Sequence, residues 1–294
     1  MKIIKGKLKR PRRIVSFGPE GIGKSMFASL APSPIFIGAE DGTSQLDIHR
    51  FPQPSGWGDI LSALDSLGSE DHDYRTVVVD TLDWAEPMVW KFVCERDGKR
   101  EISDYDWGKG YATSLDQWRL FISKLDALRT PKSEGGKEMG VILLAHSHIK
   151  KFENPEGADY DRYELKLHHK AAGFIKEWAD CVLFFNYETF THNEKNGQAK
   201  GIDSGTRVIY TERRAAYDAK NRENLPPKIP LSWDAFTEAA SKASIEALRT
   251  KAAQCLEKMP DELKDDASKL IEKYKNREDK LTVLINRMKG KAEK

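Results

Sequence analysis

Along the first two-thirds of the chain, short β-branched apolar runs alternate with stretches whose apolar residues recur at helical spacing. That alternation predicts an α/β fold with a mainly parallel sheet and crossover helices. The runs place strands at 14–17, 34–39, 76–80, 140–145, 180–187 and 207–211, and the helical stretches fall at 57–67, 82–96, 111–129 and 171–178. The Asn- and Gly-containing stretch 193–201, between two strand-like runs, predicts a long hairpin turn. From Trp233 the composition shifts to Ala, Glu, Lys and Leu. Ile245, Leu248, Ala252 and Cys255, and again Leu263, Ala267, Leu270 and Tyr274, fall at helical spacing, with Pro260 dividing two helices. The expected division is therefore a core at 1–232 and a C-terminal helical hairpin at 233–294.

A chain of 294 residues can bury one sizeable α/β core and carry a small appendage. Its 48 Lys and Arg nearly balance 46 acidic residues, so no global field draws it to nucleic acid or to a membrane, and any polyanion site must be local. No apolar run reaches the length of a membrane span, and the first ten residues lack the apolar stretch of a secretory signal, which predicts a cytoplasmic protein without membrane partners. Cys94, Cys181 and Cys255 are widely spaced and predict reduced, buried thiols.

The residues Gly18, Pro19, Glu20, Gly21, Ile22, Gly23, Lys24 and Ser25 match the phosphate-loop pattern G-x-x-x-x-G-K-[ST] at every position. The loop follows the strand at 14–17 and runs through Met26 into a helical stretch to residue 30, as such a loop must. The glycines let backbone N–H groups turn toward phosphate oxygens, Lys24 reaches the β- and γ-phosphates, and Ser25 holds Mg²⁺. ATP and Mg²⁺ are the expected cofactors. The apolar strand at 76–80 ends in Asp80, the form of a Walker B segment, and a carboxylate there can reach the metal shell beside Ser25. An Asp here could also be a helix N-cap, but its position after a phosphate loop favours the metal-binding role.

Glu40 closes the strand that follows the loop helix, in the string Phe36-Ile-Gly-Ala-Glu40, with Asp41 beside it. Here the sequence resembles the RecA-like ATPases, and the resemblance implies that Glu40 orients the attacking water. The strand at 140–145 runs into His146, where RecA-like proteins carry a sensor of the γ-phosphate; a core histidine is the other possibility. Lys220 and Arg222 resemble the Lys-x-Arg element of DnaB-type helicases and RadA-type recombinases, which implies cations acting on the neighbouring subunit's nucleotide in a homo-oligomeric ring or filament. A basic surface turn is the alternative. The order of these pieces, with Trp107–Tyr111 and the run at 167–180, resembles the phage single-strand annealing recombinases of the Sak type over roughly residues 10–232. The tail lies outside that resemblance.

The resemblance further implies single-stranded DNA held on two loops, at about 97–112 and 147–170. The second carries Lys150, Lys151, Arg162, Lys166 and Lys170 among Phe152, Tyr160 and Tyr163, a mixture suited to phosphate neutralisation and base stacking. Lys2, Lys5, Lys7, Lys9, Arg10, Arg12 and Arg13 form a second candidate patch or a solvated arm. From residue 241 the tail holds 14 Lys or Arg against 10 acids, which fits a solvated hairpin or a surface for a partner or DNA. The expectation is a Mg²⁺-dependent ATPase that anneals or exchanges DNA strands in phage recombination or replication, in the host cytoplasm if phage-encoded. A single-strand binding protein is a further candidate partner. The rivals are a helicase or helicase loader, a nucleotide-regulated DNA-binding module with negligible turnover, and a small-molecule kinase acting as a monomer.

Overall fold

The structure is a computed structural model and describes residues 10–193 and 199–292. Lys2, Lys5, Lys7 and Lys9, the middle of the expected turn at 193–201 and Lys294 lie outside the described residues. In chain order the strands and helices are β1 (Arg13–Gly18), α1 (Lys24–Ser29), β2 (Pro34–Gly38), β3 (His49–Arg50), α2 (Trp57–Ser69), β4 (Thr76–Asp80), α3 (Leu82–Arg96), α4 (Lys109–Arg129), β5 (Gly140–Phe152), β6 (Tyr160–Leu165), α5 (His169–Trp178), β7 (Cys181–Asn193), β8 (Ala199–Tyr210), β9 (Lys220–Asn221), β10 (Lys228–Pro230), α6 (Trp233–Glu257), α7 (Asp261–Lys273) and α8 (Glu278–Ala292).

Two compact units emerge, one running up to Asn221 and resuming over Pro227–Trp233, the other made of Arg222–Pro226 and the helical tail from Asp234. In the first unit the strands follow the order β10-β8-β7-β1-β5-β4-β2-β3, parallel from β7 to β3, with β8 and β10 antiparallel at one side. The central strands are apolar on both faces because helices cover both faces of a parallel sheet. Val15, Phe17, Val77, Val78, Val79 and the run Val141–Ala145 are all buried. On one side Trp57 of α2 and Trp118 and Phe121 of α4 form an aromatic triad with ring centroids 5.4 to 5.7 Å apart. Each such side chain contributes roughly 1.5–3 kcal/mol by burial, which fastens those helices together. The carboxyl ends of β1, β2, β4 and β5 meet at one edge of the sheet, where α/β proteins build their sites.

The segment after the expected strand at 140–145 differs from the sequence expectation. β5 runs 13 residues to Phe152 and turns back as β6, pairing Ser147 with Leu165 and Phe152 with Tyr160. Residues 147–165 are thus an antiparallel hairpin rather than an irregular loop. The pattern concealed it because β6, Tyr160-Asp-Arg-Tyr-Glu-Leu165, alternates polar and aromatic residues instead of forming an apolar run.

The second unit corrects the expected hairpin to three helices. α8 begins after the polar break at Lys275–Arg277, and its Leu284 and Met288 join Met259 and Ala267 in a small apolar cluster of their own. Of the three cysteines, Cys94 and Cys181 are buried and Cys255 is half-buried, and none is in a disulfide.

Candidate functional site

The phosphate loop is shaped by its glycines. Gly21 and Gly23 take φ values of +69° and +109°, a region that a side chain resists, and Gly18 approaches β7 so closely that a Cβ would lie 2.3 Å from the Phe185 carbonyl oxygen. Lys24 is 6% exposed, and its Nζ donates to the carbonyls of Gly18 and Pro19 at 3.2 and 2.9 Å. Burial pulls its pKa down, against the opposing pull of Asp80, Asp83, Glu40 and Glu20. The ammonium is thus suspended over the loop among carboxylates. Pro19 and Ile22 shape the loop between the glycines, Glu20 is exposed at its outer side, and Met26 is exposed just behind it.

Ser25 and Asp80 meet as the sequence predicts. Ser25 Oγ donates to Asp80 Oδ2 at 2.6 Å, although the two stand 55 positions apart. Asp80 is 1% exposed, and its other oxygen, Oδ1, is buried without a hydrogen-bond partner among the described residues. Burial raises its pKa, with the Ser25 bond and Lys24 opposing. A hydroxyl beside an orphaned carboxylate oxygen is a donor set of hard oxygens that suits Mg²⁺, so these residues fit the metal that a nucleotide brings.

β5 separates the loop strand from the Asp80 strand and sets His146 beside Gly18 in register. His146 is held on two sides by Asp83, which opens α3: the backbone N–H and the ring Nδ1 each donate to its carboxylate at 2.9 Å. Burial would raise the pKa of Asp83, but the His146 bonds outweigh it and hold the carboxyl below its ordinary range. Glu40 lies just past β2, half-buried, where Ala39 N–H and Glu40 N–H both donate to the Asp80 carbonyl, at 2.7 and 3.4 Å. Burial raises its pKa, with His146 and Lys24 opposing and Asp80 and Asp83 adding to the rise. Lys24, Ser25, Glu40, Asp80 and His146 therefore form one cluster, with Asp83 as its internal brace.

The other expected sites are scattered. Lys150, Lys151, Lys166 and Lys170 are exposed, with Lys151 paired to Asp159 at 2.9 Å. Arg162 is a correction: it is 4% exposed, lies over the Phe152 ring and faces Glu164 and Asp218 at 3.8 and 3.5 Å. Neutralised and buried, it offers no surface to a phosphate. Lys220 sits in β9 against the start of β7, near the sheet edge opposite Gly18, and donates to the last carbonyls of α5, Lys176 O and Glu177 O, at 2.8 and 2.7 Å. It thus caps a helix of its own chain. Arg222 belongs to the other compact unit. In the first expected DNA loop, Trp107 is 97% exposed.

Two neighbours of the site went unread in the sequence. Arg207 of β8 reaches the loop and donates to Ile22 O at 3.3 Å across 185 positions. Glu86, one turn beyond Asp83, is 5% exposed and accepts the His168 N–H with both oxygens. The acidic residues one turn apart at the start of α3 were the only available signal for Glu86; Arg207 had none.

A family model described as an AAA domain matches residues 10–223. Among solved structures, the chain is similar to the flagellar accessory protein FlaH from Methanocaldococcus jannaschii, with 10% identity and a TM-score of 0.37, over 76% of this chain and 86% of that one. No curated protein matches the chain. Among the described residues, no helix is long and apolar enough to cross a membrane.

Proposed function

The chain belongs to the AAA domain family, and from that premise we propose that this P-loop ATPase of the AAA and RecA-like type uses ATP and Mg²⁺ to act on single-stranded DNA, promoting annealing or strand exchange in phage recombination or replication. The observation that carries this reading is the continuity of β5. One unbroken strand leaves the core, carries His146 beside the phosphate loop and runs on to Lys150, Lys151 and Phe152 in an exposed hairpin. A change at the γ-phosphate position thereby has a direct covalent route to a cationic and aromatic surface of the kind that binds single strands.

In the proposed mechanism the loop N–H groups and Lys24 hold the phosphates. Ser25 and Asp80 would hold Mg²⁺, which would supply positive charge against the phosphate oxygens. Glu40, its pKa raised by burial, accepts a proton from the attacking water and aligns it. His146, held by Asp83 through its backbone N–H and ring Nδ1, is the side chain placed to sense the γ-phosphate. Lys220 and Arg222 are proposed to act across a subunit interface in a ring or filament; Lys220 would then exchange its two carbonyl bonds for the neighbour's nucleotide.

The test is ATP hydrolysis with and without a single-stranded oligonucleotide, measured alongside oligomer mass. Stimulation by the oligonucleotide in an oligomer is expected, and Glu40→Gln should retain ATP while slowing turnover by about a hundredfold or more. Directional unwinding would move the assignment to a helicase, and tight ATP binding with negligible turnover to a nucleotide-regulated binding module. Monomeric turnover indifferent to DNA would overturn the proposal. Mixing a Lys220→Ala, Arg222→Ala double variant with Glu40→Gln subunits should restore activity above the sum of the two, and no gain in demonstrably mixed oligomers would refute the action in trans.

A further inference from the structure

Resting on the nucleotide-binding reading above, we infer that Arg207 is a positioning residue of the phosphate loop, one that presets a loop amide from outside. In a planar trans peptide the carbonyl and the following N–H point in opposite directions, so fixing one fixes the other. Arg207 donates to the carbonyl oxygen of Ile22 at 3.3 Å, and the N–H of that same peptide belongs to Gly23. Pulling the carbonyl outward toward β8 turns the Gly23 N–H inward, toward the side where the loop receives phosphate oxygens.

Two further features confine the same peptide. Gly23 stands at φ +109°, and a Cβ built there would lie 3.1 Å from the Arg207 guanidinium and 3.8 Å from Leu231. The arginine and the leucine therefore close the space behind Gly23, and the peptide has little room to rotate. Arg207 is itself anchored: it pairs with Tyr187 of β7, and its carbonyl accepts the Leu231 N–H at 3.0 Å. β7 in turn pairs with β1, the strand that leads into the loop. The brace thus reaches the loop from the same sheet, on the side away from β4 and β2, which bring Asp80 and Glu40. Arg207 serves binding of the phosphates and leaves water activation to the other side.

The experiment measures affinity for fluorescent ADP and ATP analogues, and for inorganic pyrophosphate as competitor, in full-length wild type, Arg207→Met, Arg207→Gln and Arg207→Lys. Lys24→Ala serves as a control. Arg207→Met keeps the side-chain bulk without a donor and should weaken ADP, ATP and pyrophosphate alike by roughly fivefold to fiftyfold. Arg207→Gln and Arg207→Lys each retain a donor and should recover most of that loss. The melting temperature without nucleotide should change little in Arg207→Met, while the rise on adding ADP shrinks; a purely structural residue would do the reverse. Unaltered affinity in Arg207→Met overturns the proposal. So does rescue by Lys but not Gln, which would mean that the charge touches the nucleotide directly. If wild type binds no nucleotide, or Lys24→Ala binds it as well as wild type, the phosphate-loop reading itself fails, an outcome distinct from the failure of Arg207.

Discussion

Replacing Glu86 with Gln should make the protein more stable at neutral and alkaline pH, an unusual result for a residue beside a candidate active site. Glu86 is 5% exposed, receives one backbone N–H on both oxygens, and has Asp83 one turn away. Burial, with the nearby Asp83 adding to it and the His168 bond opposing, pushes its pKa from the ordinary 4.5 up to about 7. Between those values the unfolded chain has released its proton and the folded chain keeps it, so stability falls as pH rises through this interval. At about 1.4 kcal/mol per pH unit, the span from 4.5 to about 7 gives a ceiling of about 3 kcal/mol. An effective dielectric well above that of a dry interior brings the expected loss to about 1–2 kcal/mol. His168 acts in the opposite sense: burial, with His169 and Lys170, lowers its pKa to about 4, so its contribution grows as pH rises toward 6.5. That contribution is common to both proteins and cancels in their difference. Urea denaturation of wild type and Glu86→Gln should agree near about pH 5 and diverge near about pH 8, with the variant more stable by about 1–2 kcal/mol. A difference that stays constant with pH, or a variant that is weaker at alkaline pH, would refute the reasoning. It would mean that Glu86 sits ionised and holds the His168 N–H through its charge.

Three further outcomes follow from the site. Gly18→Ala places a Cβ 2.3 Å from the Phe185 carbonyl, so β1 and β7 must part, and chemical denaturation should show a loss of about 1–3 kcal/mol or more; an unchanged midpoint would show that this glycine is not held by packing. Asp83→Asn should slow ATP turnover by about tenfold to a hundredfold while leaving ATP affinity within about twofold, because it loosens His146 without touching the loop; an equal loss of affinity would place Asp83 in binding instead. Neutralising Lys150, Lys151 and Lys166 together should weaken binding of a single-stranded oligonucleotide and flatten its dependence on salt, because fewer counterions are released. A preserved salt slope would move the contact elsewhere.

The site was legible where local sequence dictates backbone shape. The loop glycines encode their own conformation, and Asp80, Glu40 and His146 each end an apolar run, which fixes them to the carboxyl edge of a parallel sheet before any tertiary contact is known. What failed to show depended on partners far along the chain. Arg162 sits between tyrosines in a charged stretch and reads as surface, yet Glu164 and Asp218 neutralise it against the Phe152 ring. Arg207 gains its meaning from Ile22, 185 positions earlier. Nothing in the sequence near Lys220 tells that it donates to the last carbonyls of α5, more than 40 positions earlier. The third tail helix was a different kind of miss, since Leu281, Leu284, Ile285 and Met288 already stand at helical spacing.

The hairpin on β5 also carries a parity. Side chains alternate along a strand, so His146, His148, Lys150 and Phe152 share one face, and Ser147, Ile149 and Lys151 share the other. The partners confirm the phase: Phe152 faces Tyr160, and Lys150 faces Arg162. A single residue inserted after His146 would leave the phosphate-loop cluster intact but turn every later side chain over, exchanging Lys150 and Phe152 for Ile149 and Lys151 on the face that His146 commands. Two residues inserted in β5, matched by two in β6, would restore the face and lengthen the arm by about 7 Å. The strand therefore tolerates growth in even steps and is scrambled by odd ones, which makes chain length here a specification of which surface the nucleotide site addresses.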